Sequence, residues 1–412
     1  MSHLNAVRGT HDLLPEESRR HQQIIDIGRR TVELYGYGEI STPIFELTEV
    51  FARTLGDTSD IVTKEMYTFQ DRGGDALTLR PENTAGVARA FISGKMTQSL
   101  PLKFFYAGPM FRYERPQKGR QRQFHQIGVE LLGVAGPLGD VEVISMGARI
   151  LDRLGILSAT TLEINSLGDT ESRAAYRTAL VDYFTTHKTD LSIESQERLA
   201  RNPLRILDSK DEGDRLIVAK APAFADHLNQ DSKTFFAIVL ENLDRLSISY
   251  RLNPQLVRGL DYYNHTAFEF TTDRLGAQGT VLGGGRYDGL ISTMGGPATP
   301  GVGWAAGVER LAMMIAEPAP AQRPVALVPV GDTAEARAIV IAENLRRAGI
   351  AADLGYSGNL KKRMHRANKI NARVAVILGE TELNRGIAIV RNLDTGEQQD
   401  ISLENLASSL ES

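Results

Sequence analysis

Three prolines fall within the eight residues Glu317-Pro318-Ala319-Pro320-Ala321-Gln322-Arg323-Pro324. Proline fixes φ and has no N–H to donate, so such a run is a semi-rigid spacer, not a helix or a central strand. It splits the chain into residues 1–320 and 324–412. At roughly 150 residues per domain, 412 residues suggest two or three domains. Beyond the spacer the pattern alternates: strand at 325–330, helix at 334–348 closed by Gly349, strand at 350–354, helix at 359–371. Strands at 374–378 and 387–390 follow, with a turn at Asp394-Thr395-Gly396. That alternation predicts a small α/β domain.

The larger part is organised differently. Pro15-Glu16-Glu17 opens a helix that carries Ile24, Ile27, Thr31 and Leu34 at helical spacing and stops at Gly36-Tyr37-Gly38. A strand over 39–47 is interrupted by Pro43, which places it at an edge or beside a subunit contact. Residues 100–133 read as a long hairpin, with strands at 104–114 and 123–132 around a polar turn. Helical periodicity dominates from about 166 to 250, predicting an inserted helical subdomain. Strand patterning returns at 256–271, followed by a glycine cluster over 276–303.

The chain has no cysteine, which excludes disulfides, thiolate metal sites, iron–sulfur clusters and cysteine nucleophiles. A net charge of −4 gives no global attraction for nucleic acid, so any basic surface is local. The polar first twenty residues and the lack of an 18-residue apolar run argue against a secretory signal and a membrane span. The expectation is a soluble cytoplasmic protein. No P-loop, strand–GxGxxG–helix unit, HExxH or GxSxG occurs.

Chemistry concentrates in five segments. Alternation along the second hairpin strand puts Phe124, Gln126, Gly128 and Glu130 on one face and turns Ile127 and Val129 toward a core. Arg112 and Glu114 share a face of the first strand. A solvated face with an Arg112–Glu130 surface pair is the bland alternative. The turn Arg115-Pro-Gln117-Lys118-Gly-Arg120-Gln-Arg122, with Arg112, holds five cations in eleven positions and suits phosphate-backbone contact; a solvated charge run is the alternative. Leu79-Arg80-Pro81-Glu82-Asn83-Thr84 precedes a helix near Ala85; its side-chain oxygens suit either capping or binding of an amine. Leu256-Val-Arg258-Gly-Leu-Asp261-Tyr262-Tyr263-Asn-His265 and Gly283-Gly-Gly-Arg286-Tyr287-Asp288-Gly289 combine polar groups with glycines that favour close approach of a ligand. His265 is expected to have a structural or surface role, not a catalytic one. Gly303-Trp-Ala-Ala-Gly-Val-Glu309-Arg310-Leu starts a further helix with Arg310 off its apolar stripe.

Together these segments resemble histidyl-tRNA synthetase, a class II aminoacyl-tRNA synthetase, over nearly the whole chain. Val7-Arg-Gly-Thr-His-Asp-Leu-Leu-Pro15 resembles the family's N-terminal stretch, and the helix and strand through Pro43 resemble motif 1, which builds the homodimer. Phe111–Gln126 resembles motif 2 and 303–311 motif 3, while 256–263 and 283–289 resemble the two histidine signatures. Asn83 stands where many members carry Gly. The resemblance implies an α+β fold: a catalytic domain over 1–320 with a mostly antiparallel sheet flanked by helices, the helical insertion at 166–250, and an α/β anticodon-binding domain over 324–412. It further implies two steps. The histidine carboxylate attacks the α-phosphorus of ATP and expels pyrophosphate; a terminal tRNA hydroxyl then attacks the adenylate. The first nucleophile is already ionised, so positioning and charge stabilisation dominate.

By the same resemblance, Arg112 and Arg258 are the catalytic arginines, holding the α-phosphate and the histidine carboxylate. Arg310 holds the γ-phosphate, Phe124 stacks on adenine, and Glu114 belongs to the ATP site. Glu82 and Thr84, beside Asn83, bind the substrate amine. Glu130 and Tyr263 read the imidazole, with Gln126, Tyr262 and Tyr287 completing the pocket. Mg²⁺ travels with ATP, with no permanent cofactor and no dedicated metal cage. Arg115, Gln117, Lys118, Arg120 and Arg122 meet tRNA(His), as do Lys361, Lys362, Arg363 and Arg366 in the last domain. The competing readings are a non-catalytic regulatory subunit of ATP phosphoribosyltransferase, a relative that generally lacks the last domain, and an ATP-dependent ligase acting without RNA.

Overall fold

A computed structural model describes residues 4–55, 61–257, 262–317 and 322–411. The chain divides into two units, Met1–Glu317 and Pro318–Ser412.

The first unit opens with α1 (Pro15–Val32), which has Pro at its start, acids in its first turn and Arg29 and Arg30 in its last. All three choices suit the helix dipole. Gly36, at φ +80°, ends the following short 3₁₀ turn. The expected strand over 39–47 is two short pieces, β1 (Gly38–Glu39) and β2 (Phe45–Leu47), on either side of Pro43. Next come α2 (Thr48–Leu55), β3 (Tyr67–Gln70), β4 (Ala76–Leu79) and α3 (Thr84–Ser93). The hairpin is β5 (Leu102–Phe111) and β6 (Gln123–Leu132), followed by α4 (Leu138–Arg153) and β7 (Thr161–Ser166).

Helices α5 (Thr170–Thr186), α6 (Ile193–Arg201), α7 (Glu212–Val218) and α8 (Gln230–Arg245) then run consecutively. Asp169, Ser192, Asp211 and Asn229 cap them, each accepting from the backbone N–H three residues on. The unit closes with β8 (Tyr250–Leu252), β9 (Asn264–Thr271), β10 (Thr280–Arg286), α9 (Leu290–Thr293), β11 (Gly301–Gly307) and α10 (Val308–Ala312). Residues 303–307 are therefore strand, and the helix begins only at Val308.

Eight strands form the main sheet in the order β1-β5-β6-β11-β10-β9-β7-β8. All pairs are antiparallel except β1–β5 and β7–β8. One face packs on α1, α4, α8 and α10 through Ile24, Ile144, Leu151, Val239, Leu243, Val308 and Leu311. Ile127, Val129, Phe268 and Trp304 rise from the sheet to meet them, all essentially buried. Each such side chain contributes about 1.5–3 kcal/mol on burial. Helix α8 joins this core although it belongs to the helical run. The opposite face carries Tyr106, Met110, Tyr263 and Tyr287 beneath Val87 and Phe91 of α3.

The second unit holds β12 (Val325–Pro329), α11 (Asp332–Arg347), β13 (Ala352–Leu354), α12 (Leu360–Lys369), β14 (Val374–Leu378), α13 (Glu380–Asn384), β15 (Ile387–Asn392), β16 (Gln398–Ser402) and α14 (Leu406–Leu410). Its five strands run β13-β12-β14-β15-β16, parallel through β14 and antiparallel beyond.

Candidate active site

The site grows from the register of β5 and β6. Phe104, Tyr106, Gly108 and Met110 lie opposite Glu130, Gly128, Gln126 and Phe124. The polar face singled out by alternation is thus real, but it is not solvated: Glu130 is 1% exposed and is not paired with Arg112. Glycine makes room for it. A Cβ on Gly128 would strike the Tyr106 ring and the Trp304 carbonyl, and one on Gly303 would strike the Glu130 carboxylate. Gly301 and Gly285 do the same for the rings of Tyr287 and Tyr263, and Gly284 faces Trp304. The glycines of 283–289 were expected to admit a ligand; Gly284 and Gly285 instead admit neighbouring strands and side chains, and Gly283 alone of that segment's four lines the cavity.

That cavity offers about 180 Å³ of accessible space and opens to solvent. One end is neutral and hydroxyl-rich, lined by Thr84, Tyr106, Tyr262, Tyr263 and Tyr287. Beneath it lies Glu130. Thr84 Oγ1 donates to Glu130 Oε1 at 2.6 Å, Tyr287 donates to Oε2, and the Tyr106 hydroxyl is 3.5 Å from Oε1. Burial raises the Glu130 pKa to about 8, against the hydrogen bonds from Thr84 and Tyr287. When Glu130 is ionised both hydroxyls donate inward, leaving lone pairs for a donor in the cavity. Glu82 lines the same end, but its carboxylate also accepts from the N–H groups of Thr84 (2.6 Å) and Ala85 (2.9 Å), capping α3. Burial raises its pKa, opposed by those two bonds. Asn83 is buried behind the cavity wall, its Oδ1 accepting from Thr42 (2.6 Å) and Arg80 (3.2 Å).

The other end is cationic. β5 stops at Phe111, so Arg112 and Glu114 do not share a strand face as expected; Arg112 keeps a backbone bond to the Arg122 carbonyl (2.9 Å), and its side chain donates from Nε to the Pro81 carbonyl at 2.9 Å. Its guanidinium lies 5.2 Å from the centre of the Phe124 ring. Arg310 donates to the carbonyls of Thr280 (2.6 Å) and Gly119 (3.3 Å). Arg120 pairs with Glu114 at 3.1 Å. Burial, and then the charge of Arg120 and Arg112, lower the Arg310 pKa, with Glu114 opposing. Three guanidiniums crowd one wall of a cleft, an arrangement relieved by a polyanion. Phe124 and Gln126 line the space between the two ends.

Arg258 falls outside the described residues. His265 stacks on Phe235 at 4.6 Å and does not line the cavity. In the basic turn, Arg115, Gln117 and Lys118 are exposed, whereas Arg122 lies 3.8 Å over the Tyr113 ring. In the second unit Lys361 and Lys362 are exposed, and Arg366 pairs with Asp353 at 2.9 Å. Arg363 corrects the surface expectation: at 3% exposure it donates to Pro329 O and Glu335, because it shares the inward face of α12 with Ala367. Sequence reasoning missed Tyr106, Trp304 and Glu309, all of which line the cavity. The empty position at Gly128 was the signal for Tyr106.

Among the described residues no helix is long and apolar enough to cross a membrane. The family model for histidyl-tRNA synthetase matches residues 9–311, and that for the anticodon binding domain matches residues 324–412. The chain is 62% identical to the histidine–tRNA ligase of Rhodospirillum rubrum over 404 residues, covering 98% of this chain and 97% of the other. The crystal structure of apo S. aureus histidyl-tRNA synthetase superposes with a TM-score of 0.84 at 36% identity, covering all of both chains. A Bacillus halodurans structure described as an ATP phosphoribosyltransferase regulatory subunit/histidyl-tRNA synthetase shares the fold at TM-score 0.64 and 24% identity, covering 90% of this chain and 97% of that one. This chain belongs to the histidyl-tRNA synthetase family.

Proposed function

We propose that the protein ligates L-histidine to tRNA(His) through a histidyl-adenylate, releasing pyrophosphate and then AMP. The observation that carries this reading is one cavity with two chemically opposite ends: crowded guanidiniums for a triphosphate, and a hydroxyl-lined pocket over a buried carboxylate for a small cationic amino acid. Arg112 holds the α-phosphate, Arg310 the γ-phosphate, and Phe124 stacks on adenine. Thr84 and Glu82 take the substrate amine, and Tyr263, Tyr287 and Glu130 read the imidazole. A wrong amino acid of similar size leaves these buried groups unpaired, which is a strong basis for rejection. Arg258 completes the clamp on the α-phosphate and the histidine carboxylate.

Mg²⁺ favours oxygen ligands and arrives with the nucleotide. Glu114 lines the phosphate end and would offer a carboxylate oxygen to complete its shell. There it neutralises phosphate charge; orienting the phosphates falls to Arg112 and Arg310.

The exposed cations Arg115 and Lys118, with Gln117, contact the acceptor end of tRNA, and Lys361 and Lys362, beside Arg366, contact the anticodon stem. A second copy of the chain covers the exposed apolar residues Phe45, Leu47 and Phe69 of the small β2-β4-β3 sheet, giving a homodimer that works in the cytoplasm.

Histidine-dependent exchange of pyrophosphate into ATP, measured beside tRNA charging, tests the reading. Both activities are expected, and Arg258→Ala abolishes both while leaving the fold intact. A regulatory subunit shows neither activity, and an RNA-independent ligase shows exchange without charging; either result overturns the proposal.

A further inference from the structure

Strand β11 ends at Gly307, whose partner on β6 is Gln126. Beyond that point β6 continues for three residues with no β11 residue beside it, and the first of these is His125. Its backbone N–H would face a vacated ladder position. Glu309, two residues into α10, fills the gap. Its carboxylate accepts from the His125 backbone N–H at 2.9 Å (Oε1) and 3.0 Å (Oε2), and Oε1 lies 2.9 Å from His125 Nδ1. The carboxylate thus takes the place of a strand carbonyl and holds the imidazole as its Nδ1–H tautomer. Behind it, the buried His21 of α1 sets its ring 5.5 Å from that of His125, edge to face. The ligand atoms of His21, His125 and Glu309 lie within 4.8 Å of one another. Since both Glu309 oxygens already accept from His125, the group is a closed hydrogen-bonded clamp.

The clamp joins two parts of the nucleotide site. His125 sits between Phe124 and Gln126, and Glu309 precedes Arg310; Phe124, Gln126 and Arg310 line the cavity. We infer that Glu309 and His125 are positioning residues: their three hydrogen bonds fix the end of β6 against the start of α10, and so set the Phe124 ring and the Arg310 guanidinium at the separation an ATP needs. A misplacement on the order of 1 Å in such a site costs up to a hundredfold. This inference rests on the ATP-binding part of the proposed function and not on the identity of the amino acid.

The test is ATP affinity of the full-length chain by titration calorimetry, with KM values from exchange. His125→Ala and Glu309→Ala are each expected to weaken ATP binding at least tenfold while the KM for histidine changes less than twofold. The double variant should be no worse than either single one, because the residues act as a unit. His125→Asn keeps an N–H donor near the Nδ1 position and should restore near-normal affinity; His125→Gln carries its amide to the Nε2 position and should not. That contrast reads the bond even if the alanine variants unfold. Equal ATP affinity for the Asn and Gln variants, or losses that multiply in the double variant, overturns the inference. A loss confined to Glu309→Ala also overturns it, since Glu309 would then act on the nucleotide directly. Failure of the proposed function looks different: wild-type protein would bind ATP yet give no histidine-dependent exchange, and the clamp would still be decided by the Asn and Gln affinities.

Discussion

Glu130→Gln separates the electrostatics of the pocket from its shape. The carboxyl is fully buried and its pKa is raised from 4.5 to about 8, chiefly by burial. Between those values the folded protein holds a proton that the unfolded chain has lost, so Glu130 makes stability fall as pH rises, and the fall levels off above 8. Integrated from pH 5 to pH 9, this comes to about 4 kcal/mol, at about 1.4 kcal/mol per pKa unit. Glutamine keeps the volume but cannot ionise. At about 2 °C per kcal/mol for a unit of this size, the gap in melting temperature between Glu130→Gln and wild type should grow in favour of the variant by about 8 °C over that range. Activity should move the other way. An imidazole N–H of the substrate, read by Glu130, favours its ionised form, so histidine binding at pH 7 should release a proton, visible as an enthalpy that depends on the buffer. Glu130→Gln should release none, and its KM for histidine should rise at least tenfold with the KM for ATP unchanged. Parallel melting curves for the two proteins from pH 5 to pH 9 would refute the assignment of Glu130 as a neutral, buried acid in the free enzyme.

Three further outcomes follow from other parts of the structure. Arg286, fully buried, donates to Asp140, Asp288 and the carbonyls of Val134 and Gly136; Arg286→Ala strands the buried Asp140 and should cost about 3–5 kcal/mol in urea unfolding. Asp214 accepts from the Ser192 backbone and from the hydroxyls of Ser192, Ser195 and Ser209. Burial alone would raise its pKa, yet these bonds bring it below 3.8, so its contribution is present above pH 3.8 and lost as pH falls through the depressed value. Hydrogen exchange should show α6 and α7 opening earlier in acid in wild type than at neutral pH, and already open at pH 6 in Asp214→Ala. Replacing Lys361 and Lys362 together by Ala should raise the KM for tRNA and flatten its salt dependence by about two counterions, with pyrophosphate exchange unchanged.

Much of the hairpin was legible because a strand has a period of two: once Ile127 and Val129 are assigned to a core, Phe124, Gln126 and Glu130 must share the other face. Alternation does not say whether that face is wet. The answer came from glycines that lie far apart in sequence: Gly128 admits Tyr106, and Gly303 admits Glu130 from 173 residues away, so the polar face closes into a pocket. Arg363 shows the complementary failure. Its neighbours mark it as one of a basic run, but helical spacing places it with Ala367 on the inward face of α12, where Glu335 and Pro329 O receive it. Charge counts along a chain are blind to the side of a helix on which a residue falls. Glu309 lay beyond both kinds of reading. Its role is to replace a carbonyl that β11 no longer supplies, and that absence exists only once strand order β6-β11 and the end of β11 at Gly307 are known. Local periodicity thus identifies faces, while the partners that give those faces their chemistry are set by which distant strands lie side by side.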